Sequence, residues 1–292
     1  MSLTQSYSFP LKGLSLELLL LAIHLCHEIH ITKTMKLTNK ITTLATAAGL
    51  TLAAGSANAA SITYSAATDI AKRSIFDATV YNAAAGADKL VIIATGEHNF
   101  GNASGAITDI SYGGVSLTKA VQREAIDGHV TVAGIWYMDN PAASGLLGAT
   151  VGGNGNNYTF SVMTLDNALA GIGNTAMVDD SKSVTFSAVG ADSLILTSHA
   201  LGGGGNNGDT GGVDTTAPLI EHTAIDISNW AGHVVGVQNG VGAGSGTYTY
   251  TGGAATGNVT LGVEFLAVPV PEPSTTALLG LGGLALILRR RK

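Results

Sequence analysis

Between residues 60 and 268 the apolar positions recur with a period of two, in short runs closed by glycine, asparagine or aspartate. Val259, Leu261, Val263 and Phe265 alternate with Thr260, Gly262 and Glu264, the pattern of a strand with one core face and one wet face. Val184, Phe186 and Ala188 repeat it, whereas Leu90 to Ala94 is apolar without a break, as in a strand covered on both sides. Strands are expected near Ser61 to Ser65, Ser74 to Tyr81, Lys89 to Thr95, Ile107 to Tyr112, Val115 to Gln122 and Val130 to Met138. Further strands are expected near Tyr158 to Leu165, Ser183 to Val189, Ser193 to His199, His233 to Gln238, Thr247 to Thr251 and Asn258 to Ala267. Gly113-Gly114 between two of these runs predicts a two-residue hairpin, because glycine meets the positive φ of the primed turns at no steric cost. No stretch of the body keeps a helical apolar stripe through three turns. Short strands without a helical partner layer predict an all-β fold, a two-sheet antiparallel β-sandwich of jelly-roll type.

Both ends break this pattern. Val270 to Ser274 reads Val-Pro-Glu-Pro-Ser, an apolar run follows from Thr275 to Leu288, and the chain closes on Arg289, Arg290, Arg291 and Lys292. As a helix, Ser274 to Leu288 would span roughly 22 Å at about 1.5 Å per residue, against a hydrocarbon core of about 30 Å. That is a short transmembrane helix. The basic cluster holds its far end in the cytoplasm, so everything before it lies outside. Pro271 and Pro273 keep the preceding chain extended and leave Glu272 open to a processing enzyme. An ordinary anchor that is never cut remains the alternative.

At the other end, Met35, Lys36 and Lys40 form a basic region, Ile41 to Leu52 is apolar or small, and Ala57 and Ala59 supply the small residues of a secretory cleavage site. Cleavage is expected after Ala59. Upstream, Leu14 to Cys26 is apolar, but His24, His27, Glu28 and His30 stand where small residues should. Residues 1–34 therefore read as an extension ahead of a start at Met35, or as the first part of a long two-part leader starting at Met1. The organisation is 1–34 extension, 35–59 signal peptide, 60–268 sandwich domain and 269–292 sorting tail.

A body of about 213 residues, Ala60 to Glu272, can bury roughly 70% of its unfolded surface as one domain. The chain's one cysteine, Cys26, falls in the leader, so the exported body has neither disulfides nor a cysteine nucleophile. Of 14 Lys and Arg, four lie in the leader and four in the tail, which leaves six against 18 acids and a net charge of −12. No Lys or Arg occurs between Ser183 and Leu288. Such a surface repels nucleic acid and anionic lipid, and suits solubility outside the cell, divalent cations or neutral glycans. Thirty-three of the 39 glycines fall in the body, about twice the usual 7%.

Candidate chemistry is sparse. Gly202 to Asp214 is the densest loop, and its Asn206, Asn207, Asp209 and Asp214 are of the types calcium takes as oxygen ligands. The spacing fits neither the helix-loop-helix template nor a nonapeptide array, so Asn207, Asp209 and Asp214 are weak candidates beside a plain flexible loop. Gly152 to Asn157 has the same ambiguity with no carboxylate. His98, His129, His199, His222 and His233 show no metal-ligand spacing, and no Gly-x-Ser-x-Gly elbow accompanies Ser198 and His199. Glu221 and His222 are adjacent in a strand-like run and so point to opposite faces. Trp136 reads as core, and Trp230, in an Asn-Trp-Ala-Gly turn, as the exposed aromatic. No catalytic residue, metal or cofactor is expected.

The Pro-Glu-Pro, apolar helix and basic cluster, in that order, resemble the PEP-CTERM sorting signal of Gram-negative bacteria. The resemblance implies an exported protein held transiently in the inner membrane until an exosortase, a membrane-embedded transpeptidase-like enzyme, cuts near Pro271, Glu272 and Pro273. Exosortase systems accompany exopolysaccharide production, so it also implies matrix glycans as partners and a structural or adhesive role in extracellular matrix or biofilm. A second resemblance rests on Leu90-Val91-Ile92-Ile93, on Tyr112-Gly113-Gly114 leading to Leu117-Thr118, and on Trp136-Tyr137 leading to Asn140-Pro141. These are similar to a β-sandwich module of secreted bacterial surface proteins over about residues 70–170, and no catalytic residue carries over from it. Two other functions remain open: a glycan- or calcium-binding lectin-like module, and a polysaccharide-active enzyme with paired carboxylates in one cleft.

Overall fold

The alternating pattern folds into strands throughout, and a computed structural model of the chain describes residues 60–65, 68–73, 79–99, 107–127, 129–151, 157–202, 212–227, 231–253 and 257–269. In chain order the strands are β1 (Thr63–Tyr64), β2 (Thr68–Arg73), β3 (Thr79–Tyr81), β4 (Lys89–Asn99), β5 (Ile107–Tyr112), β6 (Val115–Ser116), β7 (Thr118–Asp127), β8 (His129–Asp139) and β9 (Gly145–Val151). They continue as β10 (Asn157–Asp166), β11 (Thr175–Asp179), β12 (Ser183–Val189), β13 (Ser193–Gly202), β14 (Asp214–Thr215), β15 (Ile220–Ile227), β16 (Ala231–Val241), β17 (Gly244–Thr251) and β18 (Asn258–Phe265). All pairings are antiparallel, and no helix occurs among the described residues.

One jelly-roll unit is present twice. In the first half β2 and β1 pair in succession along one edge of β10 in a central sheet that continues β10-β4-β8-β7, and β3-β9-β5-β6 form an outer sheet over it. The second half repeats the order, with β11-β18-β13-β16-β15 central and β12-β17-β14 outer. In each half the first strand lies beside the last and the chain crosses repeatedly between the two sheets, with β7-β8 and β15-β16 as hairpins within a central sheet, a jelly-roll wrapping. The expected all-β antiparallel sandwich is therefore present, with four sheets where two were expected. Short sequence matches mark the duplication. Gly86-Ala87-Asp88 and Gly190-Ala191-Asp192 lead into β4 and β13, Asn157-Tyr158-Thr159 and Asn258-Val259-Thr260 open β10 and β18, and Gly134-Ile135 and Gly236-Val237 sit mid-strand in β8 and β16.

The two central sheets pack face to face, β7 against β11 and β2 against β15, so the halves meet like the subunits of an isologous dimer. Three apolar layers result. Val91, Ile93, Ile135, Met163, Leu194, Leu196, Val235, Val263 and Phe265 fill the junction between the halves. Leu90, Ile92, Tyr112, Trp136, Phe160 and Val162 fill the first sandwich, and Phe186, Ile195, Val234, Tyr248 and Tyr250 the second.

Burial on both faces corrects one expectation: every residue of β18 is buried, so Thr260, Gly262 and Glu264 face the second sandwich interior and not water. Leu90 to Ala94 is buried throughout, as its unbroken apolar run predicts. In β12 the register shifts between Phe186 and Val189, which exposes Ala188 and buries Val189 in its place. The run from Val115 to Gln122 is interrupted at Leu117, where the chain passes from the outer sheet to the central one. Of the expected strand from Ser74, only Thr79–Tyr81 lies among the described residues. Five strands, β2, β9, β11, β14 and β15, were not anticipated. The Gly113-Gly114 hairpin forms as expected, with φ of 59° and 81°.

Glycine does a second job inside the strands. A Cβ added to Gly134 would lie 2.4 Å from the Trp136 ring, one added to Gly96 2.3 Å from the Tyr158 ring, and one added to Gly262 2.7 Å from the Phe186 ring. Aromatic rings sit against bare backbone at these places, where a side chain would collide with them. Trp136 is 1% exposed, as its core assignment predicts. Replacing Gly134 by alanine should therefore lower stability by about 1–3 kcal/mol through overpacking against Trp136, read from the urea midpoint. An unchanged midpoint would contradict this packing.

Candidate functional site

Three segments converge at one end of the body. The Ala60 N–H donates to Val268 O at 3.1 Å, Val268 N–H to Asn167 O at 3.0 Å and Leu169 N–H to Leu266 O at 2.8 Å, while Ala168 bridges Ala267. The first residue expected after signal cleavage thus lies beside the last residues before the sorting tail. The connection between the halves runs beside both, with Asn167 Nδ2 donating to Ser61 O at 3.3 Å. Two aspartates pin that connection to the first half: Asp88 Oδ2 accepts from Ala168 N–H at 3.1 Å and Asp139 Oδ2 from Gly171 N–H at 2.9 Å. Asp139 also pairs with Lys89, whose side chain has no solvent exposure and whose Nζ lies 5.2 Å from the Tyr137 ring centroid.

Buried polar groups knit the second half to this end. Glu264, 1% exposed, accepts from Asn174 N–H at 2.9 Å, Asn174 Nδ2 at 2.8 Å, Gly190 N–H and Ser193 Oγ at 2.8 Å. Burial pushes its carboxyl up, but these donors together outweigh burial and hold it below the usual carboxylate range.

At the junction of the halves stand His233, Ser161 and Asp69, the residue types of a hydrolytic triad. Their order is wrong for one. Ser161 Oγ donates to Asp69 Oδ1 at 2.7 Å and lies 2.8 Å from His233 Nε2, while Thr159 Oγ1 lies 3.0 Å from Nδ1. With the serine proton directed at Asp69, Nε2 carries the hydrogen toward Oγ and Nδ1 accepts from Thr159. His233 Nε2 is then not placed to take the serine proton, and Ser161 and His233 are fully buried. His199 is also fully buried, stacks on Tyr250 at 5.1 Å and meets Thr260 Oγ1 at 2.8 Å through Nδ1. Burial lowers both imidazoles to about 4, aided at His199 by the charge of Lys182 and opposed at His233 by Asp69.

An open groove of about 600 Å³ runs along the edges of β7 and β11. Lys119, Gln122, Arg123, Glu124, Thr175 and Met177 line it. Arg123 Nη2 donates to Asp179 Oδ2 at 2.9 Å and lowers that carboxyl, but both side chains are well exposed, so the pair contributes little. Gln122 Oε1 is a buried oxygen with no partner among the described atoms.

Several expected positions fall elsewhere. Ala57, Ala59, Pro271, Glu272, Pro273, Arg289, Arg290, Arg291 and Lys292 lie outside the described residues, as do Asn206, Asn207, Asp209 and Trp230. Asp214 is exposed in β14, and its Oδ1 accepts from Thr215 N–H at 2.9 Å. Among the described residues no three His, Cys, Asp or Glu cluster as metal ligands, and no helix is long and apolar enough to cross a membrane. The polar contacts of His233, Lys89 and Glu264 link strands far apart in the chain and leave no linear signal.

Residues 269–292 match the PEP-CTERM protein-sorting motif. This marks the chain as an exported protein addressed to an exosortase and anchored at its C-terminus before processing. No curated protein and no solved structure matches the chain.

The buried histidines make stability depend on pH in a stated direction. Both are neutral when folded and protonate near pH 6.5 when unfolded, so their contribution is full above that value and is lost as pH falls toward about 4. The loss is on the order of 3 kcal/mol for each. The denaturant midpoint should fall steadily from pH 7 to pH 4, and His199→Phe, which keeps the stack on Tyr250, should flatten the slope. A flat profile over that range would contradict the burial of neutral imidazoles.

Proposed function

We propose that the mature protein is a non-enzymatic component of the cell surface or extracellular matrix, with a structural or adhesive role linked to exopolysaccharide. The observation that carries this reading is the sorting motif at residues 269–292 on a body whose two processed ends emerge side by side at Ala60 and Val268. A protein built this way stands on the membrane by one end and presents the rest of both sandwiches outward. Cutting near Glu272 then frees the whole body without touching the fold. A structural role is favoured over a catalytic one by the way Ser161 spends its proton on Asp69.

Cells with and without the exosortase test this reading. With the enzyme, the product at the surface or in the medium should begin at Ala60 and lack the basic end. Without it, full-length tail should remain in the inner-membrane fraction. Recovery of an exported product that still carries Arg289 to Lys292 would contradict the proposal.

The groove favours a second reading, binding of a glycan chain. Lys119 and Arg123 are two of the six cations of the body, Gln122 lines the groove beside them, and Met177 is 53% exposed. Lys119→Ala with Gln122→Ala should then abolish retention on the producer's own polysaccharide while leaving the melting temperature unchanged. Equal retention of variant and parent would remove this reading.

A further inference from the structure

We propose that Lys89 and Asp139 are joined in the folded protein by an amide bond between their side chains, a covalent staple in a body that has no cysteine. The two residues face each other directly in the β4–β8 register. Lys89 has no solvent exposure, its Nζ contacts Asp139 Oδ1, and among the described residues Asp139 is its one hydrogen-bonding partner. A buried ammonium with three N–H groups and one acceptor is an expensive arrangement, and a neutral amide with one N–H removes both charges at once.

The geometry suits the reaction. Asp139 Oδ2 accepts from Gly171 N–H at 2.9 Å, which polarises the carboxyl and stabilises negative charge on that oxygen as nitrogen adds to Cγ. Oδ1, the oxygen in contact with Nζ, is the one that leaves. The ammonium passes one proton to Oδ1, the amine nitrogen bonds to Cγ, and Oδ1 departs as water with a second nitrogen proton. One C–N bond forms, one C–O bond breaks, and no oxidant or co-reactant is needed. Paired strands hold nitrogen and carboxyl together, which supplies the proximity such a condensation requires. Asp139 is 30% exposed, which gives the water a way out.

The staple would sit at the end where the sorting tail leaves, because Asp139 and Asp88 also hold the segment at Ala168 and Gly171. It closes a loop of 50 positions between β4 and β8 and ties the two strands where pull on the tail would arrive.

Tryptic digestion of the unfolded mature protein, followed by mass spectrometry, tests it. Cleavage at Arg73, Lys119, Arg123 and Lys182 should release one branched species that unites 74–119 with 124–182 and is lighter than their sum by one water. No cut should occur after Lys89. Lys89→Arg should restore cleavage at position 89 and give three separate peptides of unmodified mass. Recovery of 74–89 and 90–119 as separate peptides from the parent protein would overturn the proposal. So would a missing water located anywhere other than the junction of Lys89 and Asp139.

Discussion

The structure depends on the contact between two central sheets, each of which must bury both of its faces. A sheet covered on one side only can afford polar residues at every second position, and these sheets cannot. The whole of β13 and β18 is buried for this reason, and Ser193, Thr197, His199 through Nδ1 and Glu264 find partners there, while Ser198 Oγ and His199 Nε2 have none among the described atoms. Glu264 with its donors, His199 with Thr260, and His233 between Thr159 and Ser161 follow from the same requirement. Buried polar groups left unpaired would cost more than their hydrogen bonds return.

The second device is the pairing of aromatic rings with glycine. A body with few large residues must reach interior density with what it has, and Trp136, Tyr158 and Phe186 do so by lying on backbone that carries no side chain. This accounts for glycine within β4, β8 and β18, where turn chemistry does not apply. It also explains how threonine-rich and glycine-rich strands sustain three apolar layers without a disulfide.

Legibility followed the range of the interactions. The strand from Lys89, the Gly113-Gly114 hairpin and the sorting tail are local patterns, and each could be read from consecutive residues. β9, with Gly145 and Gly148 in a seven-residue strand, reads as a loop until β5 pairs with it, and β11 is a five-residue edge strand whose core face is only Ala176 and Val178, too short to set a period. The duplication stayed hidden because only a few matched positions survive, among them the two Gly-Ala-Asp turns. The polar site at the exit end joins Lys89, Asp139 and Gly171, which only the folded chain brings together. The tail, by contrast, carries its function in linear chemistry and needs no fold to be recognised.

An exported body that must be held by one end and released whole has to behave as one cooperative object. Native-state hydrogen exchange measures this most directly, by comparing the opening free energies of amides in β4 and β10 with those in β13 and β18. The shared layer between the halves predicts one common value for all four strands, equal to the global unfolding free energy. Separate values, with one half opening while the other stays protected, would contradict the central role given to that contact.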